Sequence, residues 1–361
     1  MTPAFSLPED AEAAVPPERR GLPRDGIRLM AVRPGAVTHR AFRDLPELLE
    51  PGDLVVVNTS ATLPARLTAA RADGTLIPLH VAGTLDDGSW VVEVRRPGND
   101  GPDLRVEPGA VLTLPGHVTL RLVTGHPDAG HPSRLWRAEA RPRTGAALFL
   151  ARFGSPVRYG YLAGSFPLAD YQTVYATEPG SAEMASAGRP FSESVLVRLM
   201  ARGIPVVPLV LHAGVSSPEL HEPPVAERFA VPEVTARLVT STRGAGRRVV
   251  AVGTTVTRAL ETATGDDGVT RPASGWTDLV LGPERPAQVV TGLVTGLHAP
   301  EASHLRLLEA VAGPGLVARA YEAAVAEHYL WHEFGDSMLF LPGTEQVRER
   351  IAAAAEAAAR A

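Results

Sequence analysis

One stretch of the chain combines residue types that could hold a ligand. In RRVVAVGTTVTRALETATG, Val249 to Val252 read as a strand, Gly253 as a tight turn, and the residues from Thr254 or Thr255 to Gly265 as a helix. A helix N-terminus presents N–H groups with no partner inside the helix and the positive end of its dipole. It therefore suits a carboxylate, a phosphate or a ribose hydroxyl. Gly253 lets a ligand approach the backbone, and Thr254 and Thr255 add hydroxyls. Arg258 and Glu261 follow within two turns. A capped helix with a surface Arg–Glu pair at i,i+3 would show the same pattern.

His298 lies in TGLHAP, between a β-like and a helical run. Such junctions at strand carboxyl ends collect functional residues in α/β sheets, and a neutral imidazole there can move a proton near pH 7. A histidine capping the next helix is the alternative. His328 and His332 are spaced i,i+4 on an expected helix but lack the glutamate of HExxH, which favours ordinary helix-face histidines over zinc ligands. Arg134, Arg137, Arg141, Arg143 and Arg152 stand against Glu139 alone between 134 and 152. They could touch a phosphate backbone or simply form a solvated face. No P-loop, GxGxxG or GxSxG occurs.

Composition narrows the classes. The 361 residues suffice for two domains, and the 45% hydrophobic and 21% charged fractions fit a globular protein with a sizeable core. No apolar run approaches the roughly 18 residues of a membrane span, and the N-terminus lacks the pattern of a secretion signal. A cytoplasmic enzyme is expected. The absence of cysteine excludes disulfides, thiolate metal sites and a cysteine nucleophile. A net charge of -5 means that any RNA contact needs a local basic patch. All basic residues are arginine, so arginine abundance by itself says little about phosphate binding.

The elements that would carry these residues fall into two textures. Residues 1–23 are rich in proline and acid and read as irregular. Ile27 to Val32 reads as a strand, Phe42 to Leu49 as a short helix, and LVVVN (Leu54 to Asn58) as a strand buried on both faces. From about Thr68 to Leu150, short apolar runs alternate with DDG, PGND and PG turns, as in a small antiparallel barrel or sandwich. Beyond Tyr171 helical and strand patterns alternate. Ser192 is expected to cap a helix running to Arg202, with Gly203 as the stop. IPVVPLVLHAG reads as an edge or bent strand because of Pro205 and Pro208. Residues 304–312 and 316–331 read as helices, and the alanine-rich tail as a projecting helix or frayed end.

Several segments together resemble the S-adenosylmethionine:tRNA ribosyltransferase-isomerase family of queuosine biosynthesis. They are RDGIRLMAV, HRAFRDL, PGDLVVVN, PARL, YQTVYA, AVGTTVTRALE, SGWTDL, the His298/Pro300 pair and FGDSM. The resemblance spans about residues 24–340 and is weakest over 68–150. It implies an α/β major domain (1–67 plus 151–361) with an inserted small antiparallel β-barrel domain (68–150). It also implies transfer and isomerisation of the ribosyl part of S-adenosylmethionine onto 7-aminomethyl-7-deazaguanine in tRNA, giving epoxyqueuosine, with loss of adenine and methionine. S-adenosylmethionine is then a substrate, with no further cofactor and no metal. The expected partners are S-adenosylmethionine and tRNA, with no membrane, in a monomer or homodimer. The resemblance marks His298, Glu227 and Arg258 as catalytic. It marks Gly253, Thr254, Thr255, Asn58, Arg66, Tyr171, Gln172, Trp276 and Thr277 as substrate-binding.

The chain departs from the family pattern at polar positions. The family's N-D-T-R-V-x-P-A-R-L is Asn58 to Leu67 here, without its Asp and first Arg. A-P-T-A-G-L-H-F is Met184 to Phe191, with Pro190 in place of histidine. L-P-P-Y becomes a stretch around Val157 to Tyr161. M-H-x-E is Pro224 to Glu227, keeping only the glutamate, whereas T-N-F-H-L-P (Thr295 to Pro300) keeps its histidine. A paralogous S-adenosylmethionine-consuming enzyme with a non-tRNA acceptor, or a non-catalytic binder on the same fold, stands as the alternative.

Overall fold

The computed structural model describes residues 5–8, 10–127, 134–215, 225–300, 302–343, 345–349 and 351–352. A nine-stranded mixed sheet forms the centre. Its order is Ala273–Thr277, Glu227–Val231, Val206–Leu211, Leu54–Asn58, Val249–Val252, Gly292–Gly296, Ser337–Phe340, Arg28–Arg33 and Ala36–Ala41. Val206–Leu211, Leu54–Asn58, Val249–Val252 and Gly292–Gly296 run parallel to one another. Their carboxyl ends therefore share one edge of the sheet, the place where open α/β sheets bind ligands.

Side-chain alternation explains why Leu54 to Val57 holds no polar residue. Leu54 and Val56 pack into the core on one face, and Val55 and Val57 into the core on the other. The first face is covered by the helices Glu233–Gly244, Thr254–Thr262, Ser303–Ala312 and Pro314–Ala326. The second is covered by Glu193–Ala201 together with Phe42 and Leu45. Burial on both faces is what continuous β-branched runs specify.

A six-stranded antiparallel sheet forms the second body, in the order Leu135–Arg141, Trp90–Val94, Leu76–Thr84, Arg66–Ala70, Val111–Leu114 and Val118–His126. Leu135–Arg141 pairs with both Trp90–Val94 and Val118–His126, so the two ends of that order meet. The strands enclose their own core around Trp90, Leu79 and Leu120, closed by Phe149 and Leu150 of the helix Ala146–Phe153.

Local expectations hold in part. Ser192 caps its helix, its hydroxyl accepting from Val195 N at 3.2 Å, and Gly203 follows with φ +71°. Pro208, however, sits in an interior strand. It is tolerated because the neighbour Glu227–Val231 pairs only with Val210 and Leu211, beyond the proline, whose carbonyl accepts from Thr235 Oγ1. The helix after Gly253 ends at Thr262, three residues before Gly265. Glu261 is not on a surface: its buried carboxylate accepts from the N–H groups of Gln288, Val289 and Val290. Helix Pro314–Ala326 stops before His328 and His332, which have φ of +51° and +71° and share no helix face. Most of the alanine-rich tail lies outside the described residues.

Candidate active site

A cavity of about 1800 Å³ opens along the carboxyl ends of the parallel strands, with residues of the six-stranded sheet on its other side. Gly253 ends the strand Val249–Val252 with φ +96°, in the left-handed region where a side chain is strained. It is the N-cap, so Thr254 and Thr255 are the first helical residues rather than caps. All three line the cavity. The Gly253 N–H donates to Val294 O at 2.8 Å, while the N–H groups of Thr254 and Thr255, at the start of the helix, have no partner within it.

One turn on, Arg258 is buried and fully engaged. Its Nη1 pairs with Glu227 Oε2, Nε donates to Leu279 O at 3.1 Å and Nη2 to Thr277 O at 3.0 Å. The second Glu227 oxygen accepts from Gly214 N at 3.0 Å. Burial pushes the Glu227 carboxyl above its ordinary range, opposed by Arg258 and the Gly214 N–H.

His298 follows the strand Gly292–Gly296. Its backbone N–H donates to Tyr321 Oη at 3.1 Å, and its Nε2 lies 3.0 Å from Thr295 Oγ1. The ring stacks on His304 at 4.6 Å and 3°. Burial holds His298 well below its usual pKa, with His304 and His332 adding to the effect; burial and then Arg258 hold His304 down to about 4. Both imidazoles are thus neutral near pH 7, and His298 can accept a proton but carries no charge beforehand.

The remaining expected residues divide. Trp276 lines the cavity, with Nε1 donating to Asp86 Oδ2 at 3.0 Å. Thr277 lies behind the wall, its carbonyl holding Arg258 and its hydroxyl 2.6 Å from Thr262 Oγ1. Asn58 is buried and holds both backbone groups of Leu211 through Nδ2 and Oδ1. Gln172 brackets Thr62 in the same way, and the Tyr171 carbonyl accepts from Thr62 Oγ1. Arg66 begins a strand of the second sheet, its backbone paired with Ser155. Asn58, Arg66, Tyr171, Gln172 and Thr277 are not among the cavity-lining residues.

His212 escaped the sequence reading. It directly follows the strand Val206–Leu211, at the same sheet edge as Gly253 and His298, and lines the cavity. That junction rule would have found it, had the prolines not marked the strand as peripheral. Ala213 N donates to Ser181 Oγ at 3.0 Å, Ser181 Oγ lies 2.6 Å from Ser60 Oγ, and Ser60 Oγ lies 2.7 Å from His212 Nδ1. Only one direction satisfies every proton. Ser181 donates to Ser60 and Ser60 to Nδ1, because the reverse would strand the buried Ser181 hydroxyl proton. Nε2 of His212 therefore carries the hydrogen. Burial, then Arg228, keeps the ring neutral. The ring lies so close to Gly180 that a Cβ there would sit 2.3 Å from Nδ1.

The arginine-rich segment is not a free cationic patch. Arg134 is buried and pairs with Glu93 at 2.6 Å, which Arg95 holds from the other side at 2.5 Å. Arg137 pairs with Asp87, Arg143 donates to the Asp87 carbonyl, and Arg141 lies 3.6 Å from Glu139. No group of metal-binding side chains occurs among the described residues, and no described helix is long and apolar enough to cross a membrane.

An α/β sheet with a deep cavity at its carboxyl edge, lined by a helix N-terminus, a buried ion pair and neutral histidines, defines a small-molecule enzyme site. Residues 3–340 match the family described as queuosine biosynthesis protein. The S-adenosylmethionine:tRNA ribosyltransferase-isomerase of Symbiobacterium thermophilum is 36% identical over 348 residues, covering 93% of this chain and 98% of its own. That of Anaeromyxobacter sp. strain K is 38% identical over 351 residues, covering 93% and 97%. The crystal structure of the S-adenosylmethionine tRNA ribosyltransferase of Thermotoga maritima superposes with a TM-score of 0.51 at 30% identity, covering 93% of this chain and 99% of that one. The chain belongs to this queuosine biosynthesis family.

Proposed function

We propose that the protein transfers and isomerises the ribosyl part of S-adenosylmethionine onto 7-aminomethyl-7-deazaguanine in tRNA, forming epoxyqueuosine. The observation that carries this reading is the joint presence of the Gly253 turn, the Arg258–Glu227 pair and His298 in one cavity, in a chain that spans its relatives almost end to end. The Thr254 and Thr255 N–H groups and hydroxyls take the substrate's carboxylate or ribose oxygens. Trp276 supplies an apolar face. His298, neutral and buried, is the base for the proton beside the sulfonium, and the imidazolium it becomes is held by Thr295. Glu227 and Arg258 form a fixed dipole against which charge redistributes. Asn58, Arg66, Tyr171, Gln172 and Thr277 act from behind, by holding the segments that carry the wall.

The six strands with their separate core act as a small β-barrel domain over 68–150, inserted into an α/β domain of 1–67 plus 151–361, and close the cavity from above. The protein works in the cytoplasm, where its tRNA is found. The test is incubation of the purified protein with S-adenosylmethionine, with and without precursor tRNA. Adenine and methionine release that requires the tRNA, with the matching mass gain on the anticodon nucleoside, is expected. No tRNA-dependent release would overturn the reading.

A further inference from the structure

The cavity offers more room than one substrate uses. Its volume of about 1800 Å³ exceeds the roughly 300–1,000 Å³ of sites for single small molecules, as a site where donor and acceptor meet requires. The Gly253 turn and the Arg258–Glu227 pair make one stretch of wall. Another stretch comes from two different parts of the chain: Tyr159 and Tyr161 beyond the helix Ala146–Phe153, and His332 with Glu333 beyond the helix Pro314–Ala326.

These side chains form a built feature. The Tyr161 ring is stacked with Tyr159 at 6.0 Å and 13°, and with His332 at 4.4 Å and 15°. Its hydroxyl donates to Glu333 Oε2. His332 is fixed in turn by Glu12, at 3.3 Å from its Nε2. The Tyr159 hydroxyl is buried without a hydrogen-bond partner, a costly arrangement unless a ligand completes it.

We propose that this wall seats the acceptor base: Glu333 accepts from the N1–H and exocyclic amine of the 7-deazaguanine, the Tyr159 hydroxyl donates to its O6, and the stacked rings of Tyr159, Tyr161 and His332 hold these groups in place. The assignment deepens the reading above and rests on it. O6, N1–H and the 2-amino group follow one another along one edge of a guanine-type ring as acceptor, donor, donor. That order fits a hydroxyl and a carboxylate that line one small cavity, the carboxylate's two oxygens receiving parallel N–H donors. The aminomethyl group at position 7 lies on the adjoining edge, next to O6. A base read by Glu333 along its N1 edge thus keeps the amine, the atom that must form the new bond, clear of Glu333, on the edge that follows O6.

The charge state fits. Burial, with Glu12 adding to it, raises the Glu333 carboxyl to about 7, and no cation contributes to holding it down. Two ligand N–H groups would favour the ionised form and so bind most tightly to it. The base must leave the anticodon stack to reach this wall, and these hydrogen bonds offset part of that cost.

The experiment measures binding of free 7-aminomethyl-7-deazaguanine and of its analogue lacking the 2-amino group, by calorimetry, to the wild type and to Glu333→Gln. The wild type should bind the parent base at least about tenfold more tightly than the analogue, because a hydrogen bond to a charged group is lost. Glu333→Gln should weaken binding of the parent base about 10- to 100-fold and erase the preference. Absence of base binding by the wild type, equal affinity for base and analogue, or unchanged affinity in the folded variant would each overturn the subsite. Adenine release with precursor tRNA, measured in parallel, reports on the reaction separately: normal release combined with unchanged base binding in Glu333→Gln removes this subsite and leaves the activity standing.

Discussion

Glu227 and Arg258 meet through Oε2 and Nη1 at the cavity wall, and each is tied down on its far side, the carboxylate by Gly214 N and the guanidinium by the carbonyls of Leu279 and Thr277. The pair thereby joins the strand Glu227–Val231, the helix Thr254–Thr262 and the segment after Ala273–Thr277 at a single point.

Breaking this pair should cost both stability and turnover. Removing one member of a buried pair leaves the other without its counter-charge, at about 3–5 kcal/mol. Glu227→Ala and Arg258→Ala should each lower the unfolding free energy by that amount, read as a lower urea midpoint. Glu227→Gln with Arg258→Met should recover much of the stability and none of the activity. A double variant with restored turnover would show that the pair is structural only.

At Gly253 the backbone has φ +96°, and an added Cβ would meet Ala187 Cβ and Thr255 Oγ1 at 3.5 Å, ordinary contact distances. Gly253→Ala should therefore fold, at a conformational cost of about 1–2 kcal/mol. The new methyl group would hinder ligand approach to the N–H groups of the turn, and S-adenosylmethionine affinity should fall about tenfold or more. Calorimetry showing wild-type affinity in the folded variant would remove this turn from the site.

The direction of the Ser181–Ser60–His212 chain can be read from nitrogen-15 spectra of labelled histidine. The hydrogen should sit on Nε2 of His212 in the wild type, and Ser60→Ala should allow both tautomers while lowering turnover about tenfold or more. A hydrogen on Nδ1 in the wild type would reverse the chain and leave Nε2 without its hydrogen.

What was legible in the sequence follows the physics of each signal. The strand–Gly253–helix unit, Ser192 as a cap and the two-faced strand at Leu54 were readable because local residue types dictate them. Pro208 misled because an interior strand tolerates proline only where its neighbour has not yet begun to pair, a fact of register. Asn58, Gln172 and Thr277 sit next to cavity segments, but the polar atoms of the first two are spent on backbone and the Thr277 hydroxyl on Thr262 and the Leu279 N–H, which spacing cannot reveal. Glu333 and Tyr161 are 172 residues apart, and only tertiary structure brings the carboxyl to the hydroxyl.

The pH dependence of stability should carry a Glu333 signature. Its folded pKa of about 7 is above the ordinary 4.5, so the folded state binds this proton more tightly than the unfolded state. Its contribution is present in full below pH 4.5 and is lost as the pH rises through 7, at most about 3 kcal/mol. His304, held down to about 4, acts in the opposite sense: its contribution is present above 6.5 and is lost as the pH falls through 4. Subtracting the Glu333→Gln profile from that of the wild type isolates the first effect. The difference should decline between pH 4.5 and 7, and a flat difference would mean that Glu333 titrates as an ordinary surface carboxyl.

The arginines between 134 and 143 should separate by role. Arg134 is buried against Glu93. Burial alone would raise that carboxyl, but His80, Arg134 and Arg95 hold it down at about 2. Arg134→Ala should thus destabilise the six-stranded sheet by about 3 kcal/mol, the low end for a broken buried pair because Arg95 remains. Arg141 is different: its side chain is 71% exposed and its contact with Glu139 spans 3.6 Å. A pair of that kind contributes under about 1 kcal/mol and is readily exchanged for a phosphate. Arg141→Ala should leave the urea midpoint unchanged. If this face holds tRNA, it should lower the slope of log affinity against log salt by roughly 0.7–0.9, the release of the counterions from one phosphate. Binding measured between about 50 and 200 mM salt would show the change. An unaltered slope in Arg141→Ala and in an Arg141→Ala, Arg143→Ala double variant would place the tRNA on another surface, because with a net charge of -5 the protein has no general attraction for a polyanion.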